Sequence, residues 1–337
     1  MKKSFGYILG LIGLATAVLI VLGIKFDKAE NEKQQGLTDV YDVSVDGALA
    51  YVEFEKGQAG LYVADVTEPL VQLPVEQTIV DVSFSKDGKT LAYIVSDKEV
   101  DSNSGSTVHL LDPESGASQL AFTASAFITE LAFDPKDPNQ LFYLQAEVFT
   151  NYSPIVGERP HDFDVQCYDL VHETHTRYTN MKKYHMQSLQ VSSTDESVFV
   201  QMDDDENVET AEDVFASKQR IFQIPLDAPD EKTVISNPVG QDDIYDFLVL
   251  PERDELIYQA VGGTGADGIF EYELFSYNWK THKTKQLTKL KEYASKPIRG
   301  AEDQIYFLVD RQFGERNPEF RIYQMSVEGK DVREIQR

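Results

Sequence analysis

The sequence contains one cysteine in 337 residues, so it cannot form an intramolecular disulfide. No cysteine follows the apolar N-terminal segment to accept a lipid, which excludes a lipoprotein. Cys167 lies in the segment VQCYDL, where the pattern favours a small buried apolar residue over a nucleophile.

Positive charge is also scarce. The chain has 31 Lys and Arg against 57 Asp and Glu, which gives a formal net charge of -26. This charge repels phosphate backbones and anionic lipid headgroups over most of the surface, so we expect no nucleic-acid partner. With 42% hydrophobic residues, 17 Tyr and 19 Phe, the chain can still bury a large core.

Long apolar runs are absent except for residues 5–24, which contain 20 consecutive uncharged residues. A helix of that length crosses a hydrocarbon layer of roughly 30 Å. Lys2 and Lys3 precede the run and mixed charges follow it, which predicts a cytoplasmic N-terminus and an outward C-terminal part. A cleaved signal peptide is the alternative, but its apolar region is usually shorter and no small-x-small pair stands just after Ile24.

The predicted layout therefore has four parts. They are a cytoplasmic tail at 1–4, a transmembrane anchor at 5–24, a polar linker at 25–37 and an extracytoplasmic domain at 38–337. The expected location is the cell membrane, crossed once, and the membrane is one expected partner through residues 5–24.

Six segments share an acidic turn followed by an aliphatic-aromatic strand. They are DGALAYV from Asp46, DGKTLAYI from Asp87, DPNQLFYL from Asp137, DESVFVQ from Asp195, DELIYQ from Asp254 and DQIYFL from Asp303. Alternating segments such as IVDVSFS, ITELAFD and IYDFLVL precede them, and two further strands follow each one. Four antiparallel strands in a repeat of about 40 to 60 residues are typical of a propeller blade. The predicted fold is all-β: a six-bladed β-propeller of four-stranded antiparallel blades, preceded by one N-terminal transmembrane helix.

The segments FSKDGKTLAYIVSD, HLLDPESGASQL and YNWKTHKTKQLTKL resemble the repeats of TolB-like propellers, relatives of the WD-repeat superfamily. The resemblance covers roughly residues 38–336 and leaves no room for the N-terminal domain that TolB carries. It implies a bacterial envelope setting. The second strands carry one recurring ring position, which we expect to pack blade against blade: Tyr51, Tyr93, Tyr143, Tyr258 and Phe307, with Val200 in the fourth repeat.

Repeat lengths vary mainly between the second and third strands, whose loops all open on one face of a propeller. Function usually lies on loops held by a rigid frame, so this face is the predicted binding surface. The four long loops span residues 145–164, 201–220, 260–273 and 310–320. The candidate partner-binding residues on them are Tyr152, Glu158, Arg159, Asp204, Glu209, Asp213, Gly263, Gly265, Gly268, Phe313 and Arg316.

The loop of the fourth repeat holds seven acidic residues in eleven positions. Asp203, Asp205 and Glu206 are weak candidates for binding a hard cation, but the D-x-D-x-D-G order of a calcium loop is absent. A solvated acidic loop is favoured over a metal site.

Gly263, Gly265 and Gly268 match the spacing G-x-G-x-x-G of a dinucleotide site. The following residues, IFEYELFSYNW, indicate a strand where that site needs a helix, and no acidic residue stands about 20 positions later. We therefore predict a flexible hairpin loop and no nucleotide or other cofactor.

The sequence contains no G-x-S-x-G elbow and no H-E-x-x-H helix, and its six histidines are scattered. No catalytic residue is assigned. The favoured function is a protein-binding, ligand-binding or sensory module of the bacterial cell envelope, whose partner is another envelope protein or a peptide. The alternative is a hydrolase or lyase acting on a carbohydrate or small ester in the propeller funnel. Converging Asp, Glu, His or Arg side chains near the inner strands would favour catalysis, and a decorated rim would favour binding.

Overall fold

A computed structural model describes residues 10, 12–19, 21, 23, 29–63, 66–101, 104–151, 158–205, 217–237, 243–266 and 268–336. Within these ranges, no helix has both the length and the apolar character needed to cross a membrane. Residues 12–19 are helical, and a single helical turn follows at Glu30–Lys33. Three 3-10 turns lie at Pro229–Glu231, Pro251–Arg253 and Ala301–Asp303.

The remaining regular structure consists of strands that fall into groups of four along the chain, which we call units. Unit 1 contains β1 (Gly36–Val43), β2 (Leu49–Glu55), β3 (Gln58–Val63) and β4 (Val71–Gln72). Unit 2 contains β5 (Gln77–Phe84), β6 (Leu91–Asp97), β7 (Ser106–Leu111) and β8 (Ser118–Ala124). Unit 3 contains β9 (Ile128–Phe133), β10 (Gln140–Asn151), β11 (Glu158–Asp169) and β12 (Thr174–Arg177).

The second half of the chain continues the same order. Unit 4 contains β13 (Met186–Val191), β14 (Ser197–Asp203), β15 (Gln219–Pro225) and β16 (Thr233–Val234). Unit 5 contains β17 (Phe247–Leu250), β18 (Glu255–Thr264), β19 (Phe270–Asn278) and β20 (Lys283–Gln286). Unit 6 contains β21 (Tyr293–Arg299), β22 (Gln304–Asp310), β23 (Phe320–Ser326) and β24 (Arg333–Glu334).

Within each unit, consecutive strands pair antiparallel. Units 1 to 4 are separate four-stranded sheets, whereas units 5 and 6 share an eight-stranded sheet. The link between them is one parallel pairing of β19 with β21 at Tyr272 and Tyr293. The all-β class and the four-stranded antiparallel sheets predicted from the repeats are confirmed.

The first strands of the units surround a common axis. Strand β1 contacts β5, β5 contacts β9, and β9 contacts β13. Strand β13 contacts β17, β17 contacts β21, and β21 contacts β1. Because every unit repeats this order outward from the axis, the connections between second and third strands open on one side, which we call the hairpin-loop face.

Apolar clusters between neighbouring units form the core. Units 1 and 2 share one cluster, units 2 and 3 the next, and the series continues through units 5 and 6. A further cluster joins unit 6 to unit 1, where Leu308 and Ile322 pack with Leu37, Tyr41 and Tyr51. Packing therefore holds the last unit against the first.

The recurring ring positions of the second strands lie in these clusters, as predicted. Tyr51, Tyr93, Tyr143 and Phe307 are at most 7% exposed, and Val200 is fully buried. Tyr258 is partly buried and packs on the cluster between units 4 and 5. The rings are thus core residues and offer no stacking surface to a ligand.

Two of the repeated aspartates, Asp87 and Asp137, close the turns between the first and second strands of their units. Asp87 accepts hydrogen bonds from the Ser85 hydroxyl at 2.8 Å and from the Lys89 N–H at 3.2 Å. Asp137 accepts one from the Asn139 N–H at 3.0 Å. Such turns form because a short acidic side chain satisfies backbone N–H groups two residues on, so Asp at these two positions has a local structural cause.

We expect Leu308→Ala, at the junction of units 6 and 1, to lower the free energy of unfolding by about 2–5 kcal/mol, because it empties a fully buried site. Leu144→Ala, in the cluster between units 3 and 4, should cost a similar amount. Val45→Ala alters a residue that is 56% exposed, so it should change the free energy of unfolding by less than about 0.5 kcal/mol. Urea unfolding measures all three, and a negligible effect of Leu308→Ala would contradict packing between the chain's two ends.

Candidate functional site

Irregular pairing in the first strands turns polar side chains toward the axis. The register of β5 shifts between Ile79 and Asp81, and that of β21 shifts between Ser295 and Ile298. Bulges of this kind re-aim the residues they contain. Ser188 in β13 and Lys296 in β21 have φ angles of 59° and 49°, as expected where a bulge redirects the backbone.

In every unit, one charged or polar residue lies within the first strand or directly before it. We call the set the axial ring: Asp39, Asp81, Glu130, Ser188, Asp246 and Lys296. Four carboxylates therefore share the axis with one ammonium group.

Three of the four carboxylates of the ring, those of Asp81, Glu130 and Asp246, bind the backbone of the next unit. The Asp81 Oδ2 accepts a hydrogen bond from the Leu131 N–H at 2.8 Å. Glu130 accepts two, from the N–H groups of Ser188 at 2.8 Å and Leu189 at 2.6 Å. These hydrogen bonds cross from one sheet to the next, so the two side chains join neighbouring sheets.

The bonds continue around the axis through units 4, 5 and 6. The Ser188 hydroxyl lies 3.4 Å from Asp246 Oδ1, and the Lys296 N–H donates to Asp246 Oδ2 at 3.2 Å. The Lys296 Nζ donates to Asp39, to Oδ2 at 2.9 Å and to the carbonyl oxygen at 3.0 Å. Tyr41 donates its hydroxyl hydrogen to the Lys296 carbonyl oxygen at 2.5 Å, which ties unit 6 to unit 1 a second time.

Asp42, beside the ring, makes the corresponding link from unit 1 to unit 2. Its Oδ2 accepts from the Phe84 N–H at 2.6 Å, and its Oδ1 accepts from the Val43 N–H at 2.8 Å. Every unit is thus bonded to its neighbour by a side chain near the axis.

The ring's electrostatics depend on Lys296. Burial acts to lower the pKa of Lys296, but the carboxylates of Asp39 and Asp246 outweigh burial and raise it above its ordinary value. The same ammonium lowers the pKa of Asp39. Burial raises the pKa of Asp81, and the Glu130 carboxylate raises it further. Lys296 therefore stays charged and is a counterion, since a nucleophilic lysine needs a lowered pKa.

The pKa of Asp42 gives a test of the axial bonds. Burial raises this pKa to about 7, against the lowering effect of the Phe84 and Val43 N–H groups. Because the unfolded value is about 3.9, Asp42 contributes stability that is complete below about pH 4 and is lost as the pH rises through about 7. We expect Asp42→Asn to flatten the fall in the free energy of unfolding between about pH 5 and about pH 8, measured by urea titration.

Asp87→Asn is the matched control, because Asp87 is exposed and the hydrogen bond from Ser85 lowers its pKa. This control should lose stability with rising pH at least as steeply as the unchanged protein. An Asp42→Asn variant that loses stability just as steeply would show that Asp42 is not the titrating group.

A second feature lies on the hairpin-loop face, where apolar side chains of units 5 and 6 are exposed. We call it the apolar patch: Val261, Ile269, Phe270 and Phe313, which are 41%, 40%, 54% and 37% exposed. Other exposed large apolar residues after residue 29 in the described ranges, such as Leu120 and Val171, lie in other units. Contiguous exposed apolar side chains mark interaction sites more often than scattered ones do.

The pairing of β18 with β19 places the patch on one side of their hairpin. Val261 pairs with Tyr272, and Phe270 lies two residues before Tyr272 on the same strand face. The Tyr272 and Phe313 rings contact edge to face, with 5.5 Å between their centroids. Phe313 also stacks on Tyr293, with 4.2 Å between the ring centroids and 16° between the ring planes. The loops of units 5 and 6 therefore form one surface.

The patch borders the axial ring through Tyr293, which begins the strand that carries Lys296. Burial raises the pKa of Tyr293, and the Asp246 carboxylate raises it further. A ligand bound on the patch would thus lie near the acidic side chains of the axial ring.

The structure brings some of the predicted binding residues together. Gly263, Gly265 and Gly268 lie in the β18–β19 hairpin, and Ile269 of that hairpin approaches Gly314, the residue after Phe313. Arg316 lies in the same β22–β23 loop. These two loops meet, as a binding face formed by hairpin loops requires.

The other predicted residues belong to units 3 and 4. Glu158 and Arg159 are exposed at the end of the β10–β11 hairpin, and Asp204 is exposed just after β14. Arg159 and Asp203 both act on the pKa of His185, so these loops approach one another. Tyr152, Glu206, Glu209 and Asp213 lie outside the described residues.

The weak metal candidates that are described have other partners. Lys183 forms an ion pair with Asp205, and its Nζ lies 3.4 Å from the Asp203 carbonyl oxygen. Among the described residues, no group of three or more His, Cys, Asp or Glu has the geometry to hold a metal ion.

The G-x-G-x-x-G segment forms a hairpin, as its strand-like sequel predicts. Strand β18 ends at Thr264 and β19 begins at Phe270. The Gly265 N–H donates to the Ile269 carbonyl at 2.8 Å, and Gly268 has a φ of 85°, which favours glycine.

The axial ring is not among the residues predicted from the sequence. Its signal is a charged residue inside an apolar first strand, visible in IVDVSF, ITELAF and IYDFLVL. Each of these residues fits the polar half of a strand alternation, whereas the recurrence of an acid at the same place identifies the side that faces the axis.

No family model and no curated protein sequence matches the chain. Solved structures do: TolB from Acinetobacter baumannii aligns with a TM-score of 0.54 and 11% identity, covering 93% of this chain and 66% of that one. This chain therefore spans just under two thirds of that TolB structure.

Two further matches are an oligogalacturonate lyase in complex with manganese and a nidogen/laminin complex. The lyase has a TM-score of 0.54 and 13% identity, over 90% of this chain and 78% of that one. The nidogen/laminin match has a TM-score of 0.54 and 9% identity, over 88% and 91%. At these identities the likeness concerns the fold alone. The chain has a β-propeller fold that is similar to the fold of TolB, and this is the fold that the repeats predict.

Proposed function

We propose that this protein is a membrane-anchored, extracytoplasmic, six-bladed propeller of the bacterial envelope that binds a polypeptide partner on its hairpin-loop face. Six four-strand units and the contact of unit 6 with unit 1 support the blade count. The uncharged run at 5–24 supports the anchor, and Leu14 and Leu19 within it are each 68% exposed.

The observation that carries the proposal is the apolar patch. Phe313 of unit 6 contacts the Tyr272 ring of unit 5, and the exposed Phe270 lies two residues before Tyr272 on the same strand face. Aromatic side chains bury a large area at a low entropic cost, so they are common anchors of protein interfaces.

The axial ring supports binding over catalysis. Asp81 and Glu130 accept backbone hydrogen bonds across unit boundaries, and Lys296 pairs with Asp39. Converging charged groups at the inner strands would favour an enzyme, but these groups are engaged in joining the sheets.

The charge around the patch defines the partner's chemistry. The chain carries a net charge of -26, and the described charged residues at the border of the patch are Glu271, Glu315, Glu319, Arg311 and Arg316. A partner segment that presents apolar side chains together with Lys or Arg complements this surface.

Cross-linking tests the proposal. A photoreactive benzoyl-phenylalanine at position 313 in living cells should form an adduct with one polypeptide, whose linked peptide is apolar and carries Lys or Arg. Phe270→Ser should abolish the adduct, because it removes the most exposed anchor of the patch. Mass spectrometry of the adduct measures both outcomes.

The same photoreactive residue at Leu120 and Val171 provides the control, since these residues are 56% and 64% exposed outside the patch. Adducts of equal yield there, an adduct with a second copy of this chain or with lipid, or no adduct at position 313 would each overturn the proposed partner.

One observation favours a second candidate, a lyase or hydrolase acting on a carbohydrate in the funnel. The Asp81 carboxyl, whose pKa burial raises, shares the axial ring with Lys296, whose side chain is 39% exposed. A carboxyl whose pKa burial raises, held in one ring with an ammonium group, can act as a general acid.

If this second function is correct, the protein should release unsaturated products from polygalacturonate, measured by ultraviolet absorbance. Asp81→Asn and Lys296→Met should each abolish that release, while Asp87→Asn should preserve it. A lack of product from the unchanged protein would rule out lyase action on this polymer.

A further inference from the structure

The N-terminal segment is fastened to the hairpin-loop face. The Gly57 N–H, in the β2–β3 turn, donates to the Gln34 carbonyl at 3.0 Å. Lys98, directly after β6, donates its Nζ hydrogens to the carbonyl oxygens of Gly57 at 2.6 Å and Asn31 at 3.4 Å. Two hairpin connections, from units 1 and 2, thus hold residues 31–34.

This contact depends on the absence of a side chain at position 57. Gly57 has a φ of 82°, and a Cβ atom there would lie 2.2 Å from the Asn31 carbonyl oxygen and 2.7 Å from the Glu32 Cα. Both are backbone atoms, so no side-chain movement can relieve the overlap. The segment lies against the turn at a distance that only glycine permits.

Chain length then limits how far the apolar run can be from this face. Gly23 and Ala29 are separated by six residues, which span about 20 Å when fully extended. A seven-residue strand such as β6 adds about 23 Å to reach the opposite face. The apolar run can therefore lie much closer to the hairpin-loop face than to the opposite face.

We infer that the hairpin-loop face is the membrane-facing surface of this protein, so that its apolar patch takes the membrane-proximal segment of a polypeptide partner. This inference rests on the proposed anchor at 5–24. It places the turns closed by Asp87 and Asp137 on the side away from the bilayer.

A polypeptide suits the patch better than the lipid surface itself. The net charge of -26, with Glu271, Glu315 and Glu319 at the border of the patch, repels anionic headgroups, and binding of an apolar face to a bilayer depends on attraction between its border and the lipids. A basic, apolar juxtamembrane segment meets no such repulsion.

Fluorescence quenching tests this orientation with the full chain in phosphatidylcholine vesicles. A fluorophore is attached to Glu315→Cys on the hairpin-loop face or to Lys89→Cys in the β5–β6 turn, both exposed. Native Cys167 is 2% exposed and burial raises its pKa to about 12, so it should not compete for the label. A quencher on the lipid headgroups should reduce the signal of the Glu315→Cys label several-fold more than that of the Lys89→Cys label.

Gly57→Ala should diminish this difference, because it forces residues 31–34 off the turn. Gly268→Ala is its matched control, since Gly268 has a similar φ of 85° but no atom within 4 Å of an added Cβ. If Gly57→Ala keeps the full difference in quenching between the two labels, the turn does not hold the face toward the membrane.

The remaining outcomes distinguish the orientation from the anchor. If the chain floats with the vesicles and the two labels are quenched equally or in reverse order, the orientation is wrong and the anchor stands. If the chain does not float, both are wrong. If a quencher deep in the acyl chains acts on the Glu315→Cys label as strongly as the headgroup quencher, the patch lies in lipid and the polypeptide occupant is excluded.

Discussion

The joining of neighbouring sheets at the axis is the constraint on which the rest of the structure depends. A propeller unit has an apolar surface on both sides. Apolar packing alone does not fix the position of one sheet relative to the next. The hydrogen bond from the Leu131 N–H to Asp81, and the pair from Ser188 and Leu189 to Glu130, set that position. Because a carboxylate accepts bonds in defined directions, it fixes the register between two sheets that share no strand pairing.

This arrangement carries an electrostatic cost that Lys296 offsets. Four carboxylates close to one axis repel one another, and burial raises the pKa values of Asp81, Glu130 and Asp246. The Lys296 ammonium opposes that effect at Asp246 and pairs with Asp39. One cation placed in the last unit thus stabilises acidic groups contributed by earlier ones.

The repeats made the fold predictable, because the local rules of turns and alternating strands act within each 40–60-residue segment. The prediction extended to core rings such as Tyr143 and to the hairpin around Gly268, whose neighbours in sequence determine their structure. The axial ring depends on contacts between units, which a single repeat does not encode. The patch was partly predicted: Phe313 stood among the candidates, but Phe270 and Tyr272 did not, since the contact of Tyr272 with Phe313 depends on how units 5 and 6 pack.

Closure of the chain's ends by packing has a consequence for biosynthesis. The hydroxyl of Tyr41 bonds a residue 255 positions later, and Leu37 shares its cluster with Leu308. A ribosome that adds about 5–20 residues per second needs on the order of ten seconds or more to deliver unit 6 after unit 1 has emerged. During that interval the outer side of unit 1 presents an unpaired apolar surface. Nascent chains of this protein therefore keep that surface uncovered until the last strands arrive.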